Sequence, residues 1–170
     1  PTVLSGDIDQ NDVDADANWI AENPEEIVGA NRLHVVTASS VDSTALLDGF
    51  TITAGLADGL AAAEQDKGGG LLCLTGTTPV VQHCTLIGNR SDRGGAAYIG
   101  DASPTISASR FHANAAALGG GALYVFGDSD PLLDDCEFLE NLTAADGGAI
   151  SIAGVAHPTF NRCRFAGNSA

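Results

Sequence analysis

The sequence predicts an all-β fold: a parallel β-helix, or solenoid, of about six coils with a period of 25–27 residues, filling 1–170 as one domain. Three observations carry that prediction. Proline returns at Pro79, Pro104, Pro131 and Pro158, and asparagine follows each one ten residues later, at Asn89, Asn114, Asn141 and Asn168. Between proline and asparagine, apolar residues recur at fixed offsets while the residues separating them vary. A fixed period of this length is the mark of stacked repeats, in which like residues lie on like.

The elements follow in order from that frame. A first copy runs from Pro1 to Asn11 and a second from Ala45 to Gly55, where Ala and Gly replace the proline and the asparagine. Two residues after the anchor stand Val3, Leu47, Val81, Ile106, Leu133 and Phe160. Seven after it stand Ile8, Ile52, Leu86, Phe111, Phe138 and Phe165. Both columns are apolar throughout, as expected of a strand with one buried face. Between them lies a column of small residues, among them Cys84, Ser109, Cys136 and Cys163, read as a buried thiol ladder of small hydrophobes. Cys136 and Cys163 fall on adjacent coils, near enough for a disulfide without requiring one.

A second strand precedes each later proline: GGLLCL, GGAAYI, GGALYV and GGAISI. Its inward columns are expected to be Leu72, Ala97, Leu123 and Ile150, then Leu74, Ile99, Val125 and Ile152. That register aligns Cys73 with Tyr98, Tyr124 and Ser151, so Cys73 is expected to face outward as the one accessible thiol. The asparagines should stack as a side-chain amide ladder in one turn, and Phe111, Phe138 and Phe165 should stack inside. Arg110, Glu137 and Arg164 read as an outward ladder of alternating charge.

Two coils are longer than the period, with insertions at 12–31 and 56–67, both expected to leave the same corner. Loops on a rigid scaffold often carry binding, but these two read equally as caps over the N-terminal end. The first is rich in oxygen ligands: Asp7, Asp9, Asn11, Asp12, Asp14 and Asp16 stand at nearly alternate positions, with Asn18 beyond. That spacing suits calcium, which takes six to eight hard oxygens, although Asp12 stands where an EF-hand loop needs glycine. The competing reading is a solvated acidic loop.

The net charge of −15 excludes nucleic acid as a partner, and no apolar run reaches the roughly 18 residues of a membrane span. Four cysteines without a C-x-x-C pair give no zinc pattern. A chain that opens on Pro1 rather than Met reads as a processed or excised segment.

GGAI at Gly147–Ile150, paired with F-x-x-N at Phe111–Asn114, Phe138–Asn141 and Phe165–Asn168, resembles the repeat pair of chlamydial-type polymorphic outer-membrane proteins. VLSGDIDQND, LHVVTA and LLDGFTITAG resemble a group of secreted bacterial right-handed β-helix proteins of the pectate-lyase-like superfamily. The resemblance covers essentially the whole chain. It implies a right-handed solenoid at an extracellular or cell-surface location, and leaves activity open because the fold hosts enzymes, adhesins and structural proteins alike. Asp134–Asp135 could mimic the paired aspartates of polygalacturonases on this fold, but the G-H-G and R-I-K segments are absent, and the pair reads better as solvent-facing. His34, His83, His112 and His157 share no column. The first functional expectation is therefore a non-enzymatic structural or adhesive module stabilised by calcium. Its partners would be an extracellular carbohydrate or surface ligand, or a second copy stacked head to tail. The alternative is a carbohydrate-active or carbohydrate-binding protein.

Overall fold

In the computed structural model, which describes residues 2–170, short strands wind into four parallel sheets whose strands stack coil upon coil. A glycine-led face holds Val36–Ala38, Leu71–Cys73, Ala97–Gly100, Leu123–Gly127 and Ile150–Gly154. A proline-led face holds Leu46–Asp48, Val80–Gln82, Thr105–Ser107, Leu132–Asp134 and Thr159–Asn161. The phenylalanine face has six strands: Thr2–Ser5, Phe50–Thr53, Thr85–Ile87, Arg110–His112, Glu137–Leu139 and Arg164–Ala166. After the asparagine corner, a fourth face holds Leu56–Ala57, Arg90–Arg93, Ala115–Gly119 and Leu142–Thr143. Among the described residues the only helical turns are two short 3-10 pieces, Pro24–Glu26 and Ala61–Ala63.

The corners explain the spacing of the repeat. The copy beginning at each proline is two strands, separated by one residue in the left-handed region: His83 (φ 51), Ala108 (φ 46), Asp135 (φ 55) and Arg162 (φ 50). That residue reverses the alternation, so the next position, Cys84, Ser109, Cys136 or Cys163, points inward instead of out. A second left-handed residue, Gly88, Ala113, Glu140 or Gly167, stands directly before each asparagine. A non-glycine residue there costs roughly 1–2 kcal/mol, which stacking between coils must offset.

The asparagine ladder does so at one corner. Asn114 Nδ2 donates to Leu86 O at 2.9 Å and to Asn141 Oδ1 at 3.0 Å, while the Asn114 backbone N–H donates to the same Oδ1 at 3.1 Å. Asn89 and Asn141 repeat the arrangement one coil away on either side. At the ends of the ladder, Gly55 N–H donates to Asn89 Oδ1 and Asn168 Nδ2 to Phe138 O. Beside the ladder the phenylalanine rings stack, with centroids 4.7 Å apart from Phe111 to Phe138 and 4.8 Å from Phe138 to Phe165.

The structure corrects the sequence reading at five points. Four complete turns carry all four faces; the strand Thr2–Ser5 precedes them and a last coil of three strands, Ile150–Gly154, Thr159–Asn161 and Arg164–Ala166, follows, so the six copies of the sequence are not six equal coils. The fourth face, whose strands are as short as Leu56–Ala57, is not among the strands expected from the sequence. In the first copy Leu4, not Ile8, takes the column of Ile52, and Ile8 is exposed; the chain leaves for the acidic loop at Gly6 before a second strand can form. Val3 pairs with Thr51, outside the column of Leu47, and the anchor Pro1 lies outside the described residues.

On the glycine-led face the inward residues of the early coil are Leu71 and Cys73, not Leu72 and Leu74. The run Gly68–Gly70 offers two alignments. The left-handed φ of Gly68 (60) matches that of Gly94 (66) and Gly120 (62), which moves the strand by one residue. A one-residue slip exchanges faces for every side chain, so Cys73 is fully buried and not the accessible thiol. Lastly, only Glu137 and Arg164 of the charge ladder pair, at 3.2 Å; Arg110 forms no ion pair among the described residues.

Phe138 is fully buried between two rings. Phe138→Ala is expected to cost about 3–5 kcal/mol through the cavity it opens, measured by denaturant unfolding against an exposed control such as Leu118→Ala, which should change little.

Candidate functional site

The two insertions are the departures from the repeat, and the structure shows how each is held. The first closes on itself where Asp7 bridges Asn31, and it returns to the solenoid where Arg32 N–H donates to Gly6 O. From there it runs along the side of the helix. Ala21 N–H donates to Thr53 Oγ1 at 3.1 Å, and the Thr53 hydroxyl donates back to Ala21 O at 2.9 Å. At Gly88, one coil on, a Cβ would stand 1.9 Å from Ala21 O, so only glycine admits the loop. Pro24 and Glu25 lie beside Ala115 and Leu142 of still later coils. The insertion is thus a lateral strap across several coils, not a cap over the end. The N-terminal end keeps an apolar cavity of about 140 Å³ among Val36, Leu47, Leu71 and Val81.

The second insertion leaves after Leu56–Ala57 and rejoins where Lys67 bridges Arg93, so the two loops flank the fourth face rather than share one corner. Asp66 and Lys67, which sequence reasoning passed over, pin it. The buried Asp66 carboxylate pairs with Arg93 at 3.1 Å, and its carbonyl accepts the N–H groups of Asp92 and Arg93. Lys67 pairs with Glu64 and lies 5.1 Å from the centroid of the Tyr98 ring. A lysine 31 residues before a tyrosine carries no local sequence signal for such a contact.

The acidic residues of the strap are engaged mostly with its own backbone. Asp7 accepts from the N–H groups of Gln10 and Asp12, and Asp9 from the Asn11 side chain and Ala30 N–H. Asp12 accepts from Val28 N–H at 2.6 Å and Asn31 Nδ2 at 2.7 Å. Asp14 accepts from Asn18 and Trp19 N–H, and Asp16 from the Asn18 side chain. Asp7, Asp12 and Asp14 meet with Trp19 around a cavity of about 220 Å³, which Asp9, Asn11 and Asp16 do not line. Among the described residues no three His, Cys, Asp or Glu side chains converge as metal ligands. Burial pushes the Asp12 carboxyl above its ordinary value, aided by the charges of Asp7 and Asp9 and opposed by its two hydrogen bonds. The Trp19 N–H holds Asp14 below its own.

Elsewhere the ionisable groups tie coil to coil. Arg162 pairs with Asp134 at 2.6 Å, His83 with Asp48 and His112 with Glu140. Asp135 occupies the left-handed corner position, so it and Asp134 do not form a paired carboxylate.

These geometries, stacked parallel coils with an asparagine corner, agree with the comparison to known families. Residues 35–170 match the family described as right handed beta helix region. The chain belongs to that family. Comparison with curated proteins and with solved structures gave no match. The match begins just past the strap and covers every later coil of the right-handed β-helix, so the strap, like the first strand Thr2–Ser5, lies outside the matched region.

Inside this right-handed β-helix all four thiols are free. Burial pushes the Cys73 thiol up to about 12 and Cys136 to about 11, and raises Cys84 as well. Cys163, in the last coil, is only half-buried. No helix among the described residues is long and apolar enough to cross a membrane.

Asp14 gives a pH prediction whose sign follows from its lowered value. Its contribution to strap stability is present above the ordinary carboxylate value of 3.8 and is lost as pH falls through the lower, folded value. Asp14→Ala should therefore loosen the strap at neutral pH and change little in acid well below 3.8, read from the fluorescence of the single tryptophan, Trp19.

Proposed function

We propose that the chain is a non-enzymatic structural or adhesive module working outside the cell or at its surface, in which the stacked coils hold two loops as a recognition surface. The observation that carries this reading is that the two most exposed large apolar side chains stand one on each insertion. Trp19 is 68 % and Leu60 73 % exposed, and Ile8, Val13 and Val28 are exposed with them, all on the two insertions. Large apolar side chains exposed on loops of a rigid scaffold are frequent contact sites. The outer acids and bases support the same reading, since they serve to join coils. A second reading, a carbohydrate-active or carbohydrate-binding protein, is favoured by one observation: Trp19 stands with Asp7, Asp12 and Asp14 around one cavity, an aromatic face beside hydrogen-bonding carboxylates.

Binding of the purified chain to immobilised polysaccharides and to cell surfaces, alongside turnover of uronate polymers with and without calcium, separates the two. The adhesive reading expects retention without turnover, weakened about tenfold or more in Trp19→Ala as an exposed aromatic anchor is lost. Measurable chain cleavage would favour the enzyme.

Calcium belongs to the same proposal. The strap crowds five aspartates between Asp7 and Asp16, and Asp12 already holds its proton more tightly than usual because of burial and its charged neighbours. A cation bound only by the folded strap raises stability by mass action. The melting temperature is expected to be higher in excess calcium than in excess chelator. Equal values would mean that the backbone amides alone order the loop.

A further inference from the structure

We propose that Cys136 and Cys163 form a redox clasp, a disulfide that joins the last two coils when the protein meets an oxidising thiol–disulfide pool. The inference starts from register. Glu137 and Arg164 are strand partners, and Arg164 N–H donates to Cys136 O at 2.9 Å, so the cysteines preceding them lie directly one above the other. Partners in adjacent parallel strands are separated by about 4.8 Å, inside the window of about 4.4–6.8 Å between Cα atoms that a disulfide spans. Both thiols occupy the same station of the coil: Cys136 Sγ lies 3.6 Å from Ile106 O and Cys163 Sγ 3.5 Å from Leu133 O. Both are free, and both point inward, with the half-buried Cys163 packed against the edge of the core.

The column permits one bridge only. Ser109 stands between Cys84 and Cys136 and leaves Cys84 without a thiol on an adjacent coil. Cys73 belongs to another column, stacked between Ala38 and Ile99. Access has a direction as well, because Cys163 is the least buried of the four and Cys136 is enclosed.

The chemistry balances with a small-molecule disulfide such as oxidised glutathione as electron acceptor. The Cys163 thiolate attacks one sulfur of that disulfide, forming a mixed disulfide and expelling one small thiolate. The Cys136 thiolate then attacks the Cys163 sulfur, closing the protein bond and expelling the second. The two cysteine protons pass to the two released thiolates, and the pool is reduced by two electrons as the pair is oxidised. Closing the loop between coils removes freedom from the unfolded chain.

The test incubates the full chain in glutathione buffers from fully reduced to fully oxidised, followed by non-reducing peptide mapping and thermal melting. The expected result is a cross-linked peptide pair containing Cys136 and Cys163, with a melting temperature roughly 5–10 °C above that of the reduced protein. Cys84→Ser should keep the cross-link and the shift; Cys163→Ser should lose both. Ser109 fills the equivalent station naturally, so serine at 163 is compatible with folding. Glutathione held on Cys163 without a cross-link, or no thiol consumed under oxidising conditions, would overturn the proposal, as would an equal shift in Cys163→Ser.

Discussion

The constraint on which the rest depends is the buried backbone at the asparagine corner. A chain that turns at the same place in every coil leaves a column of inward N–H and C=O groups that the sheets do not pair. A buried unpaired group of this kind costs on the order of 1–3 kcal/mol. An asparagine side chain carries a donor and an acceptor on one plane, so a single residue type serves the turn below and the turn above. Asn89, Asn114 and Asn141 each bond to the coils on both sides of their own, and each is fully buried. Once that column is set, the register of the neighbouring strands follows, because a coil cannot slip without breaking its amide contacts.

Two left-handed residues per turn accompany the ladder and bring the strain that stacking must offset. They also give the cross-section its corners, so each face is only a few residues long and each inward column is narrow. Narrow columns favour identical residues stacked on one another, which is why the rings of Phe111, Phe138 and Phe165 lie nearly parallel, within 8°. The same geometry places Cys136 and Cys163 at the same station of adjacent coils.

With the interior and the outer charges occupied in holding coils together, variation is left to the loops. Midway along its course the strap depends on the Thr53 hydroxyl and the space above Gly88. The second loop depends on Asp66 meeting Arg93. Both are therefore anchored to the coils and still leave Trp19 and Leu60 exposed, the division of labour expected of a rigid scaffold with recognition loops.

The sequence by itself determined the solenoid, the period, the asparagine and phenylalanine columns and the buried thiols of Cys84 and Cys136, because those residues repeat and repetition needs no knowledge of contacts. It also marked both insertions, since an interrupted period is visible wherever it occurs. It left open which of three consecutive glycines begins a strand; backbone angles settled that, placing Cys73 inside. It did not show the fourth face, whose shortest strands of two residues are too brief for alternation to register. Nor could it show where the strap lies. Ala21 meets Thr53 across 32 positions in the chain, and Lys67 meets Tyr98 across 31. Contacts between a unique loop and a repeated surface have no period to betray them, so only the tertiary structure could decide that the insertion runs along the coils instead of closing their end.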